Sequence, residues 1–323
     1  MTAQPDISAY AISAILEKTD ILIREMPGAT VIGDPEGVHR TRVASRRLEM
    51  AVRLFGGRTG MANGREYLKL IRSTVKVLGA ARDLDVHIMW LDGFSASCLP
   101  RERPGVKRLA LRLSQRREKL QEGIDRSMAD FTECSAFRNA VQYLRSARID
   151  IETAGDTRPD SLNDVEYAAR VMSMQIDYIV QLSASLKSPD AHDSHHKMRI
   201  EMKRLRYAME MTNGLFGGAL DAYISLARKV QDMLGELHDA HVWVENIPGL
   251  CAKEKRRTAR YFGTPSSFGR LAPGYEAIAL DRAKFRHEQQ EKVAAFWSET
   301  EAAGKWTGLK DLLIEEYRNE GRA

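Results

Sequence analysis

Apolar residues recur at the three- and four-residue spacing of α-helices through most of the chain, and no stretch alternates convincingly like a β-strand. The clearest pattern occurs twice, with matching apolar positions on one sector of each helical wheel: Val43, Met50 and Leu54 in the first copy, and Ile200, Tyr207 and Met211 in the second. We therefore predict an all-α protein in which two equivalent helices direct matching apolar faces toward a core.

Helix-start signals precede both copies. Asp34-Pro35-Glu36 offers an N-cap, a first-turn proline and a first-turn acid, and Ser188-Pro189-Asp190 is placed in the same way. Glycines and asparagines follow each copy, at 56–64 and at 213–218, as is typical of helix ends. Longer amphipathic segments predict a later helix in each half, at 104–122 and at 276–293.

The polar face of both helices is a row of cations led by a histidine. The members of each row fall within about 60° of one another in the first copy and about 80° in the second: His39, Arg42, Arg46 and Arg53, and then His196, Arg199, Lys203 and Arg206. Like charges at this spacing repel by a few tenths of a kcal/mol per pair. A solvated face is the ordinary explanation of one such row, but its repetition at matched positions favours an anionic ligand.

A second element repeats at nearly the same offset. Residues 78–86 align with 234–242, and the separation from the leading histidine is 39 residues in the first copy and 38 in the second. Two unrelated motifs in the same order and spacing indicate a duplicated unit. We predict two pseudo-symmetric helical bundles of roughly four long helices each, over residues 1–155 and 156–323, packed around a basic groove as one domain.

These pieces resemble the motifs of the CHAD family, the conserved histidine α-helical domain. Four matches occur in order: His-x-x-Arg-Val-x-x-Arg-Arg-Leu at His39 to Leu48, Leu-Gly-x-x-Arg-Asp-Leu-Asp-Val at Leu78 to Val86, His-x-x-Arg-x-x-x-Lys-Arg-Leu-Arg-Tyr at His196 to Tyr207, and Leu-Gly-x-x-His-Asp at Leu234 to Asp239. The resemblance extends over most of the chain. It implies an all-helical pair of bundles that binds inorganic polyphosphate and associates with polyphosphate granules.

On this resemblance, we expect the phosphate chain to contact the cations of both rows: His39, Arg42, Arg46, Arg47, His196, Arg199, Lys203, Arg204 and Arg206. Arg47 and Arg204 lie nearer the apolar face, and pairing with buried carboxylates such as Asp83 or Asp239 is an equal alternative for them. Cations on other helices are candidates to complete the groove, although each alone is better explained as a surface charge: Arg72, Lys76, Arg112, Arg116, Lys229, Arg282 and Arg286.

The chain departs from the family pattern at two positions. Glu49 stands where the first motif commonly has arginine, and at the edge of the cation row it neutralises part of the charge. Ile200 stands where the second motif often has lysine, but it falls in the apolar sector. Because Arg206 also extends the second row, we expect the second half to bind phosphate more tightly. We interpret Arg82-Asp83 and its counterpart His238-Asp239 as helix-end pairs.

Composition narrows the remaining choices. The net charge of +5, from 49 Lys and Arg against 44 Asp and Glu, is modest, so placement matters more than total charge. Cations dominate residues 101–119, whereas acids dominate 150–166, which with Gly155 and Pro159 is the expected linker between the halves. Three scattered cysteines, no leader pattern and no long apolar run indicate a soluble cytoplasmic protein with free thiols, associated with the granules that the resemblance implies.

Other classes of function are weaker fits. His238-Asp239 matches the dipeptide of metal-dependent HD phosphohydrolases, and His192, His195, His196 and His241 are conceivable metal ligands. The residues around His39 and His196 are cations, however, and would repel a divalent ion. Neither a phosphate-binding loop nor the Glu-x-Glu-x-Lys signature of CYTH triphosphatases is present, so we expect a binding module without enzyme activity, metal or cofactor. The main alternative is sequence-nonspecific nucleic-acid binding, which the shortage of aromatic residues in the rows disfavours. A scaffold for an acidic protein is a third.

Overall fold

The computed structural model describes residues 7–153 and 161–320 of the chain. These residues form α-helices joined by turns and short 3-10 segments, with no strand among them, and the predicted all-α class is confirmed. The helices are α1 (Ala9–Ala29), α2 (Pro35–Phe55), α3 (Gly64–Ser97), α4 (Arg103–Glu118), α5 (Gln121–Glu133), α6 (Ser135–Thr153), α7 (Ser161–Ser183), α8 (His192–Thr212), α9 (Asp221–Phe262), α10 (Ala272–Ala302) and α11 (Lys305–Glu320).

The two motif helices are α2 and α8. The side chain of Asp34 caps α2 as predicted, since its Oδ1 accepts hydrogen bonds from the backbone N–H groups of Glu36 at 3.0 Å and Gly37 at 2.9 Å. The matching prediction at Ser188 is wrong, because residues 188–191 form a turn and α8 begins at residue 192 without a side-chain cap. The leading histidine is nevertheless the fifth residue of each helix.

Both motif helices are followed by the same sequence of elements. A short 3-10 segment comes after each, over residues 56–58 and 213–216, and then a long helix, α3 or α9. The glycine-rich ends therefore stop the helices where the sequence indicated. The later basic segments are also helical, as α4 and as part of α10. The segment predicted as one helix over 104–122 is divided, because α4 ends at Glu118 and α5 begins at Gln121. The symmetry relating the halves stays a prediction, as does the division into two units.

Both ends of the predicted linker, residues 150–166, are helical. Its flanks belong to α6, which extends to Thr153, and to α7, which begins at Ser161. The remainder, residues 154–160, lies outside the described residues. Six of the described helices precede residues 154–160 and five follow them. We expected about four long helices in each half, and shorter helices such as α5 account for the higher number.

Two hydrophobic clusters hold the helices in place. The larger contains buried residues of α1, α2, α3, α8 and the first part of α9, so both halves of the chain contribute to it. The smaller lies where the end of α3 and α4 meet the second part of α9 and the start of α10, around Trp243 and Tyr275.

A close contact between α1 and α2 fixes the start of α2. A Cβ atom added at Gly37 would lie 2.1 Å from the carbonyl oxygen of Gly28, a distance that no side chain tolerates. Glycine at position 37 therefore lets the two backbones touch. This contact sits two residues before His39, the first residue of the cation row.

Candidate functional site

The cation rows of α2 and α8 meet in one cleft. The two helices contact each other, although their leading histidines, His39 and His196, are 157 residues apart in sequence. A cleft of about 260 Å³ opens between them, and we call it the central cleft. Its lining residues are Arg46, Glu49, Met50, Arg53, His196, Arg199, Ile200, Lys203, Arg204 and Tyr207.

Four cations form the charged centre between α2 and α8, and we call them the cation quartet. Arg46, Arg199 and Lys203 line the cleft, whereas Arg42 does not line it but lies close enough to lower the pKa of Lys203. All four are half-buried. Within the described part of the chain none of them forms an ion pair, and the Nε atoms of Arg42 and Arg46 are buried without a hydrogen-bond partner. Gathering like charges away from water is unfavourable, so the arrangement needs anionic charge from elsewhere.

The pKa values within the quartet express this repulsion. The pKa of Lys203 is lowered to about 7, first by burial and then by Arg46, Arg199 and Arg42 in that order, while Glu49 opposes them. The pKa of Arg42 is lowered by burial and by Arg46, with Asp83 acting in the opposite direction. An anion in the cleft would favour the charged form of Lys203.

Histidines lie beside the quartet on both sides. Burial lowers the pKa of His196, and Arg199 and Lys203 lower it further. Its ring lies 4.3 Å, centroid to centroid, from that of His238, whose pKa is lowered to about 4 by burial and by Arg199. In the first half, burial and then Arg82 lower the pKa of His39. These imidazoles are therefore neutral near pH 7, and each has one N–H to donate.

The margin of the cleft carries the carboxylate that the sequence placed there. Glu49 forms ion pairs with two arginines: its Oε1 atom lies 2.9 Å from Nη2 of Arg53 and 3.5 Å from Nε of Arg72 on α3. Arg72 is thus brought next to the cleft, and Lys76 lies exposed one turn further along α3. The Glu49 carboxylate pairs with Arg53 and Arg72 and reduces the positive charge on the α2 side of the central cleft.

Three other predicted binding residues, Arg204, Arg47 and Arg206, each form an ion pair within the protein. Arg204 lines the central cleft but pairs with Glu201 on its own helix. Arg47 faces a neighbouring cleft of about 410 Å³, where its guanidinium lies 3.8 Å from Glu210. The alternative partners Asp83 and Asp239 are therefore not used by Arg47 and Arg204.

Arg206 does not extend the second row into the cleft. Its side chain is buried, pairs with Glu210, donates a hydrogen bond to Gln231 at 3.0 Å and stacks 4.4 Å from the ring centre of Tyr207. The helical wheel missed this because it ignores the neighbouring α9. We expected the second half to bind phosphate more tightly for two reasons, Glu49 in the first row and Arg206 in the second. The reason based on Arg206 no longer holds, and the one based on Glu49 remains.

Most of the additional candidate cations are engaged elsewhere. Arg112 pairs with Glu254, Lys229 lies 4.1 Å from the ring centre of Phe296, and Arg282 pairs with Asp281 and covers the ring of Trp90 at 4.1 Å. Arg116 is exposed on α4, and Arg286 lies close enough to His192 to lower the pKa of that histidine. None of these five lines the central cleft.

Two interpretations from the sequence need correction. Arg82-Asp83 and His238-Asp239 are not helix-end pairs, because they lie inside α3 and α9, whose buried faces continue past them. Ile200 and Met50 are not core residues, because they line the walls of the central cleft.

The sequence analysis did not predict that His192 and His196 of α8 pack against His241 and His238 of α9. The rings of His192 and His241 stack with centroids 3.7 Å apart, next to the His196–His238 pair. The three-residue spacing of His238 and His241 on one helix face was the available signal. Within the described residues, no group of three His, Cys, Asp or Glu side chains is placed to hold a metal ion.

Comparison with known proteins gives a family and a fold. The family model of the CHAD domain matches residues 13–247. A crystal structure of the CHAD domain from the plant Ricinus communis is similar over 93% of each chain, with a TM-score of 0.58 and 20% sequence identity, which shows a shared fold. No curated protein matches the chain. None of the described helices is both long and apolar enough to cross a lipid bilayer.

Proposed function

This chain belongs to the CHAD domain family, and on that premise we propose that it binds inorganic polyphosphate in the central cleft. The observation that carries the proposal is the cation quartet, which is half-buried and forms no ion pair among the described residues. Elsewhere in the chain, partly buried arginines such as Arg117 and Arg206 have carboxylate partners. Glu49, Asp83 and Asp239 lie near the quartet, but among the described residues none of them forms an ion pair with it. A polyanion would supply paired negative charge.

Polyphosphate suits this cleft for chemical reasons. It is a flexible chain with about one negative charge per phosphate and no bases, so charge, hydrogen bonding and spacing are its only recognisable features. Arginine offers a planar fork to two phosphate oxygens, and lysine offers a movable point charge. With cations on both α2 and α8, a phosphate chain lying between the helices would be neutralised from two sides.

The proposal assigns different tasks to the residues around the quartet. His39 and His196 donate hydrogen bonds as neutral rings, and Arg204 adds charge at one wall. Glu49 limits affinity at the other wall because it repels phosphate and occupies Arg53 and Arg72. We assign Arg47 and Arg206 to the structure around Glu210 rather than to the ligand.

We further propose that binding is not followed by catalysis, and that its biological outcome is association with polyphosphate granules. Phosphate release from polyphosphate in the presence of Mg²⁺ or Mn²⁺ would contradict the first statement. A fluorescent fusion of the chain that stays diffuse in cells full of polyphosphate granules would contradict the second.

The experiment that tests the proposal compares ligands side by side at near-physiological salt. Purified protein is titrated with long-chain polyphosphate, tripolyphosphate, single-stranded DNA and RNA. We expect long-chain polyphosphate to bind most tightly and its affinity to fall steeply with added salt, because binding releases counterions. RNA that binds equally tightly and competes for the same cleft would overturn the proposal and favour a general polyanion site.

A further inference from the structure

The last turns of α9 form a second basic surface far from the central cleft. Gly235 of α9 lies beside Arg199, and 26 residues further along the same helix stands Tyr261. At 1.5 Å per residue the two positions are ~39 Å apart along the helix. We call this surface the distal tip. It consists of the final ten residues of α9, Lys253–Phe262, and the facing arginines Arg108 and Arg112 of α4.

Positive charge at the distal tip exceeds what its carboxylate can neutralise. A cleft of about 600 Å³ is lined by four arginines, one glutamate, one threonine and two aromatic residues: Arg108, Arg112, Arg257, Arg260, Glu254, Thr258, Tyr261 and Phe262. Glu254 is only 1% exposed, and three guanidinium groups share it, with the shortest contact 2.9 Å from Arg112. That single carboxylate leaves the cleft cationic.

Other cations of the tip add to this excess. Throughout the described ranges, no ion pair involves Lys253, Lys255, Arg256 or Arg260. Glu254 serves instead as an anchor that holds the guanidinium groups of α4 and α9 side by side. The buried pair with Arg112 lowers the pKa of Glu254 against the opposing effect of its burial, so the carboxylate stays ionised at neutral pH.

Two aromatic rings stand exposed in the midst of these cations. Tyr261 is 82% exposed and Phe262 is 59% exposed, and their ring centroids lie 4.8 Å apart at an angle of 81°. Gly263 ends α9 immediately after them, with a left-handed φ of 72°. The rings are therefore held on the last turn of a rigid helix rather than on a long loop.

We propose that the distal tip binds single-stranded nucleic acid. Sequence-blind sites for single strands combine a cationic groove that follows the backbone with aromatic rings on which bases stack. At the distal tip, arginines and aromatic rings line the same cleft, whereas the central cleft has cations with one buried tyrosine. Unpaired bases are required, because the bases of a duplex offer no free face to Tyr261 or Phe262. The inference does not depend on polyphosphate binding in the central cleft.

The test uses the full chain and a fluorescein-labelled uridine oligonucleotide of about 20 nucleotides, longer than the roughly 4–16 that such sites cover. We expect the double variant Tyr261→Ala, Phe262→Ala to weaken binding on the order of tenfold for each ring lost. The variant Tyr261→Trp, Phe262→Trp should retain binding, since it keeps two stacking surfaces. Both residues are exposed, so circular dichroism should show unchanged helix content. Tyr178→Ala, at an exposed tyrosine of α7, is the matched control and should bind normally.

A second arm separates the two surfaces. The variant Arg46→Glu, Arg199→Glu should lose polyphosphate binding and keep oligonucleotide binding, whereas the tip variant should do the reverse. Oligonucleotide binding that survives removal of both rings, or that disappears with the cleft variant, would overturn the inference. So would binding to anionic phospholipid vesicles that needs both rings while the oligonucleotide does not bind, because the tip would then be a membrane contact.

Discussion

Lys203 should make polyphosphate binding depend on pH between about 7 and 9. Its pKa is lowered to about 7 by burial and by the arginines of the quartet, so in the free protein it loses its proton as pH rises through neutrality. A phosphate chain in the cleft favours the charged form and raises that pKa again. Binding above pH 7 therefore requires proton uptake, and affinity falls as pH rises. His39 and His196 have lowered pKa values and are already neutral in this window.

The size of the effect follows from the pKa. Each pH unit above the pKa of the free state costs ~1.4 kcal/mol to restore the proton, which is about a tenfold loss of affinity per unit until the pKa of the bound state is reached. Below pH 7 the lysine is already charged, and the affinity reaches a plateau with respect to this group. Lys203→Arg should abolish the dependence, because a guanidinium stays protonated throughout the range.

Isothermal titration calorimetry in two buffers of different ionisation enthalpy measures both affinity and proton uptake. The natural chain should take up close to one proton per binding event at about pH 8, and Lys203→Arg should take up almost none. Lys310→Arg, at a lysine of α11 that pairs with Asp177 of α7 and does not line the central cleft, is the control and should behave like the natural protein. An equal pH dependence in Lys203→Arg would refute the assignment.

Four further variants test other parts of the structure. Glu49→Gln should strengthen polyphosphate binding about fivefold at about pH 6, because it removes a repulsive charge worth ~1 kcal/mol and releases Arg53 and Arg72. Arg206→Met should lower the free energy of unfolding by ~3 kcal/mol, since it breaks a buried ion pair, while the folded variant binds normally. Gly37→Ala should cost ~1–3 kcal/mol by forcing α1 and α2 apart, whereas Gly79→Ala should stabilise α3 by ~0.5–1 kcal/mol because no atom lies within 4 Å of the new Cβ.

Each of these outcomes has a clear opposite. Unchanged or weaker binding in Glu49→Gln would mean that the carboxylate does not oppose the ligand. A stable Arg206→Met that fails to bind would return that arginine to the ligand site. Equal thermal denaturation midpoints for Gly37→Ala and Gly79→Ala would refute the close contact between α1 and α2.

The sequence was sufficient for the helical class and for the location of the motif helices. Helix ends are local, and the Asp34 cap and the glycines after α2 and α8 are local signals that the structure uses. The start of α8 was missed because its turn is closed by backbone hydrogen bonds rather than by the Ser188 side chain. The interpretation of Asp83 and Asp239 as helix-end residues was wrong because α3 and α9 continue past them, to Ser97 and Phe262, with further buried residues on the same helices.

The sequence predicted which cations share one face of a single helix, but not which helices meet to form the site. A helical wheel places Arg42 and Arg46 on one face, but it cannot show which other helix faces them. The encounter of α2 with α8, the burial of Arg206 against α9 and the stacking of His196 on His238 are all tertiary contacts. The distal tip is the same kind of case, because Glu254 joins α9 to α4 across a long separation in sequence.

The most direct test of the central cleft is the affinity of two paired charge reversals for long-chain polyphosphate at near-physiological salt. One variant combines Arg42→Glu with Arg46→Glu on α2, and the other combines Arg199→Glu with Lys203→Glu on α8. The control reverses Arg65 and Lys69, two exposed cations at the same spacing on α3. We predict that each cleft variant stays folded and loses affinity on the order of a hundredfold, while the control binds within a few-fold of the natural chain. Cleft variants that bind as tightly as the control would contradict the account and place the polyphosphate site elsewhere.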